Sequence, residues 1–175
     1  TGLTCNSWYG KFHLEMHWWH AVHFALWGRE ELLERSMAWY DSILERARAT
    51  ARRQGYRGVR WPKMVAFDGR ESPSPIGPLL VWQQPHPIYY AELLYRARPC
   101  VETLERYREL VFLTAEFMAS YAVYDAQGDR YVLGPPVIPA QENHAPYDTL
   151  NPTFELEYWA FGLHVANQWR SRLGL

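Results

Sequence analysis

The 175-residue chain balances 18 Lys and Arg against 19 Asp and Glu, a formal charge of −1, which leaves no electrostatic footprint for nucleic acid or an anionic membrane surface. Its 48% hydrophobic content is ample for the core of one domain or a piece of a larger one, yet no apolar run approaches the ~20 residues that a membrane-spanning helix needs. Cys5 and Cys100 lie too far apart to define a disulfide framework or a zinc pattern, and the start at Thr1, without a signal-peptide pattern, is what trimming or a fragment would give.

Nine Trp and 12 Tyr exceed what a helical core of this size requires. Each offers a flat apolar face with a polar edge, and sugar rings present apolar C–H faces with hydroxyl rims. The composition therefore suits a carbohydrate cleft as well as a large aromatic core.

Apolar periodicity predicts five helices and no strand series, an all-α chain. The first is expected from about Glu15 to Leu26, aromatic and His-rich nearly all round and hence buried, with Gly28 ending it. The second should run as one helix from about Arg29 to Gln54, its last turns carrying Arg46, Arg48, Arg52 and Arg53 before Gly55. Residues 55–86 form a long connection, punctuated by Gly and Pro. Its Trp61, Met64, Val65, Phe67, Leu79, Leu80, Val81 and Trp82 argue that it is packed. The third helix begins near Pro87 and reaches about Arg98; the fourth spans about Val101 to Tyr124. A second long loop, 125–150, holds a short extended piece at Tyr131, Val132 and Leu133. The fifth helix has Asn151 as N-cap and Pro152 in its first turn, and runs to about Arg172. Both long loops follow even-numbered helices, which places them at one end of the bundle, with Glu142 facing the Trp61 region across a common mouth.

Pro139-Ala140-Gln141-Glu142-Asn143-His144 sets one carboxylate in a proline-bounded loop beside an amide and an imidazole. A proton donor to a sugar leaving group needs a rigid, partly dry place of this kind, and Glu142 is the candidate general acid. Trp61 is placed to stack on a sugar and Lys63 to reach its hydroxyls. Gln83, Gln84 and His86 precede the Pro87 helix start, where side chains point into a mouth. Asn143 and His144 flank the acid and would orient it or the substrate. His13, His17, His20 and His23 are spaced four, three and three, but there is no His-Glu-x-x-His order and no Cys companion. They are read as core or substrate-binding imidazoles, with no metal and no cofactor. Ser72-Pro73-Ser74-Pro75 lacks the Gly-x-Ser-x-Gly turn of a nucleophile elbow.

Three segments resemble a known superfamily. Gly10-Lys11-Phe12-His13-Leu14-Glu15-Met16-His17-Trp18-Trp19 looks like the sugar-binding segment that opens the catalytic barrel of family 95 alpha-L-fucosidases and of the family 65 maltose and kojibiose phosphorylases. Gly55-Tyr56-Arg57-Gly58-Val59-Arg60-Trp61-Pro62 resembles the phosphorylases' Gly-Ala-x-Tyr-Pro-Trp stretch. The Glu142 loop followed by Asn151-Pro152-Thr153 resembles their Gly-Pro-Asp-Glu-Tyr-His stretch and asparagine-rich helix start. Phe12-His13 stands where the phosphorylases have Trp-Asp, and His13 where the fucosidases have Asn, which leaves the sugar open.

The resemblance implies a six-hairpin glycosidase fold, an (alpha/alpha)6 toroid of twelve helices, of which residues 1–175 would be a single partial segment. It also implies an inverting glycosidase with Glu142 as general acid, and His13, Glu15 and Trp18 in the sugar-binding segment. The partners expected are an oligosaccharide or glycoside substrate and, for a half toroid with an apolar flank, self-association or the rest of the toroid. Inversion needs a second group ~6.5–9.5 Å from the acid: a carboxylate beyond Leu175, or Glu15 or Glu155 within the chain. Glu155, one turn into its helix, has a simpler role in favourable interaction with the helix dipole. In a phosphorylase, phosphate itself would attack. A non-catalytic carbohydrate-binding or helical interaction domain is the reading from another class.

Overall fold

A computed structural model describes residues 11–175; Cys5 and Gly10 lie outside them. The described residues form β1 (Phe12–His13), α1 (Leu14–Leu26), α2 (Glu30–Ser42), α3 (Leu44–Arg53), β2 (Met64–Val65), α4 (His86–Ala97), α5 (Val101–Tyr121), β3 (Val123–Asp125), β4 (Arg130–Val132) and α6 (Thr153–Arg172). The fold is all-α, as the periodicity predicts, and among the described residues the strands form just two small antiparallel pairs, β1–β2 and β3–β4.

The helix α4 is the hub, packed against α1, α2, α5 and α6. Its residues from His86 to Leu94 are buried apart from Tyr89, so it shows almost no polar face before Arg96. Tyr40, Trp61, Tyr90, Trp159 and Trp169 fill the space around it; each side chain of this size stabilises by ~1.5–3 kcal/mol on burial. Buried Glu92 of α4 accepts hydrogen bonds from Trp169 (2.8 Å) and Arg172 (2.6 Å) of α6 and from Arg96 (2.9 Å). Burial alone would raise this carboxyl, but the hydrogen bonds from Arg172, Arg96 and Trp169 outweigh it and hold its pKa below the ordinary glutamate value.

Four expectations are corrected. The first helix, expected to be buried nearly all round, is buried on one side only, at Leu14, Glu15, His17, Ala21 and Val22, while Met16, Trp19, His20 and Leu26 are exposed. The single helix foreseen over 29–54 breaks at Ile43 into α2 and α3. The Ser42 hydroxyl donates to the Trp39 carbonyl (2.6 Å), the local bond by which serine competes with a helix ladder. The break seats Ile43 under the turn at Gly69, where φ is +79° and an added Cβ would fall 2.9 Å from the Ile43 Cβ. The fourth predicted helix stops at Tyr121, because Ala122 is extended and Val123–Asp125 turns back to pair with Arg130–Val132. Asn151 is not an N-cap. It adopts φ +53°, its side-chain oxygen accepts the Leu133 N–H (2.9 Å), and Pro152 takes the cap position.

The long loops are ordered by backbone pairing. Antiparallel β1–β2 sets His13 opposite Met64, and the Leu14 N–H donates to the Lys63 carbonyl at 3.0 Å. The start of α1 is thereby clamped to the first loop. Gly58, at φ +65°, lies so close to α5 that an added Cβ would meet the Leu113 carbonyl oxygen at 2.1 Å. The second loop is sewn to the first where the Ile138 N–H donates to the Leu79 carbonyl (2.9 Å). Leu80, Trp82 and Ile138 form a small apolar cluster under this junction.

Candidate active site

The loop junction brings four of the predicted residues together. The Lys63 ammonium contacts the Glu142 carboxylate and lies 3.7 Å from Glu15 Oε1. His13 Nδ1 is 3.8 Å from the same Glu15 oxygen. Glu15 stands in the first turn of α1 and Lys63 just before β2, so the β1–β2 pairing sets one beside the other. Glu142 arrives from the second loop. Its backbone is left-handed, φ +60°, which for a residue with a Cβ costs ~1–2 kcal/mol. Its N–H closes a turn on the Pro139 carbonyl at 2.8 Å.

Burial falls on different carboxylates from the one expected. The Glu142 side chain is 33% exposed, against 9% for Glu15 and 12% for Lys63. Burial raises the pKa of Glu15; the Lys63 charge opposes this and the Glu142 charge reinforces it. The Trp82 indole N–H, a donor near Glu15, also opposes the rise, though it makes no close hydrogen bond. Glu155, in the first turn of α6, is fully buried and likewise raised by burial, with the Ala140 N–H at 2.7 Å opposing the rise. That hydrogen bond anchors the second loop two residues before Glu142. The other Glu155 oxygen is buried with no partner.

The remaining predicted residues separate into wall and scaffold. His86 is buried, its Nδ1 bonded to the Tyr158 hydroxyl (2.8 Å) and its Nε2 to the Glu15 backbone carbonyl (3.2 Å). Desolvation lowers its pKa to about 3, so it is a neutral imidazole that positions α1 against α4. His17 is lowered to about 4 for the same reason and is bonded to Tyr40 and Ser36. Burial also lowers the His13 pKa, and the neighbouring Lys63 charge lowers it further.

Trp61 has no exposed surface: its indole N–H donates to Thr114 (2.9 Å) and its ring packs edge-on against Tyr40. It offers no face for a sugar, contrary to expectation, because the loop that carries it is folded into the core. Gln83 and Gln84 are scaffold too. Gln83 donates to the Trp61 and Leu80 carbonyls, both at 3.0 Å. Gln84 accepts from the Trp61 N–H (2.9 Å) and the buried Arg60 guanidinium (3.3 Å), and donates to the Val59 carbonyl (2.7 Å). Asn143 and His144 are exposed and bonded to one another (2.7 Å).

Beside Glu15 lies a feature that residue-by-residue reading missed. Trp18 and Trp19 of α1, Trp82 of the first loop, His86 and Tyr89 of α4, and Phe154, Tyr158 and Phe161 of α6 surround a cavity of 350 Å³. Three helices therefore present their N-terminal turns to one space. Helical spacing held the signal: Trp18 and Trp19 lie three and four residues after Glu15, Tyr89 three after His86, and Tyr158 and Phe161 four and three further along α6. What the spacing could not show was that the three stripes face each other.

No family model matches this chain, and no curated protein matches it.

Proposed function

We propose that the chain is part of a carbohydrate-active enzyme of the (alpha/alpha)6 type that hydrolyses a glycosidic bond with inversion, Glu142 acting as general acid. The observation that carries this reading is the meeting of Glu142, Lys63 and Glu15 at the junction of two long loops, beside an aromatic cavity. In this scheme Glu142 delivers a proton to the departing glycosidic oxygen while a water attacks the opposite face of the ring. An incoming sugar draws Lys63 onto its hydroxyls.

Glu15 is not the base. It shares one ammonium with Glu142, so their nearest oxygens are closer than the ~6.5–9.5 Å that admits an attacking water. Its role is to hold Lys63 and, through it, the acid. Glu155 is enclosed and holds the loop, so the base comes from residues outside this cluster.

The test is turnover of a panel of aryl glycosides and oligosaccharides, with the anomer of the first-formed product read by NMR. Glu142→Gln should lose ~10²-fold or more in kcat with binding retained. An unchanged kcat would exclude the assigned acid. Turnover that requires added phosphate and releases a sugar 1-phosphate would replace hydrolysis by phosphorolysis.

A further inference from the structure

The aromatic cavity has a chemistry of its own. Its walls are almost wholly apolar: the Tyr158 hydroxyl is taken by His86, both His86 nitrogens are taken by Tyr158 and the Glu15 carbonyl, and among the lining residues a single buried donor, the Trp82 indole N–H, is left without a partner. A sugar ring brings several hydroxyls, and each one buried without a partner costs ~1–3 kcal/mol. A flat apolar group loses nothing there. The walls include two near-parallel ring pairs, Trp18 with Tyr89 and Tyr158 with Phe161, each inclined by 16°. An apolar cavity of ~150 Å³ is enough for benzene, so 350 Å³ has room for a one- or two-ring group. Position completes the case: Trp82 and His86 form the inner wall, and both abut Glu15, which shares Lys63 with Glu142.

We propose that this slot is the aglycone site, taking the flat, apolar, aromatic leaving group of a glycoside rather than one of its sugar rings. The word aglycone rests on the hydrolase reading; the affinity for a flat aromatic ligand does not. The leaving group would lie in the slot while its glycosidic oxygen points towards the carboxylates.

The experiment is calorimetric titration of p-nitrophenol into the wild-type chain, with methyl glucoside as the polar comparison and two variants alongside. Trp19 is 60% exposed and Trp27 is 74% exposed outside the slot, so Trp19→Ala and Trp27→Ala should both fold. p-Nitrophenol should bind saturably and methyl glucoside should not. Trp19→Ala should weaken p-nitrophenol ~10-fold, the loss of one good aromatic contact, and Trp27→Ala should leave it unchanged. Absence of saturable binding, or equal affinity in all three proteins, would overturn the slot. So would a dimer that Trp19→Ala dissolves and p-nitrophenol does not enter, since a second copy would then be the occupant. The two readings fail separately. Binding of p-nitrophenol by a protein that hydrolyses no p-nitrophenyl glycoside sinks the catalytic role and keeps the slot. Hydrolysis with the same KM in wild type and Trp19→Ala sinks the slot and keeps the catalysis.

Discussion

The two long loops divide the labour of the site. The first, between α3 and α4, behaves as core: Arg60, Trp61, Gln83 and Gln84 are buried, and their side chains satisfy one another and the loop's own carbonyls. The second, between β4 and α6, is exposed over most of 140–150 and is held by a few anchors: the Ile138 and Ala140 amides and the Asn151 side chain. It carries the strained Glu142. A rigid loop positions Lys63, and a tethered, strained loop brings the carboxylate to it. Function is commonly carried by loops of the second kind on scaffolds of the first.

The strongest challenge to this contrast is Gln84→Ala. It removes three hydrogen bonds and leaves the Trp61 N–H, the Val59 carbonyl and part of Arg60 unpaired in the core. A loss of about 3 kcal/mol by urea denaturation is expected; a loss below 1 kcal/mol would mean the first loop is not scaffold. Next comes the opposite signature at Glu142. Glu142→Gln should stay within ~0.5 kcal/mol of wild type in the same assay, because a partly exposed ion pair is worth little, while turnover falls as described above.

The tether at Glu155 is sharpened by pH. Burial raises its pKa above the ordinary 4.5, so the native state binds the proton more tightly than the unfolded chain. The stability this gives is fully present below 4.5 and is lost as pH climbs through the raised folded value. Glu155→Gln keeps an oxygen for the Ala140 N–H. Wild type should therefore lose stability relative to this variant as pH rises from 4 to 8, and parallel pH curves would count against a buried, raised carboxyl. The smallest effect is expected at Asn143 and His144, which bond only to each other. The double alanine variant should change stability by less than ~0.5 kcal/mol, and a larger loss would show that the outer loop is itself structural.

Periodicity was sufficient for the helices α1, α4, α5 and α6, whose apolar stripes repeat with the helical period over three or more turns. It merged α2 and α3, because the stripe runs unbroken through Ile43 while the break depends on a serine hydroxyl and on Gly69 arriving from another part of the chain. Composition marked the first loop as packed, and Trp61, Gln83 and Gln84 are what packs it. The same residue types suit a sugar cleft equally well, and only burial separates the two roles.

The amino-acid sequence by itself determined that this is a helical chain, roughly where most of its helices lie, and that its two long loops carry the unusual polar residues. Those properties depend on local spacing and backbone preference. Tertiary structure alone decided that Lys63 meets Glu15 and Glu142, that burial raises Glu15 and Glu155, and that rings from three helices enclose one slot. Lys63 meets its two partners across 48 and 79 residues of chain, and the slot joins residues still further apart; no local pattern encodes which segments will meet.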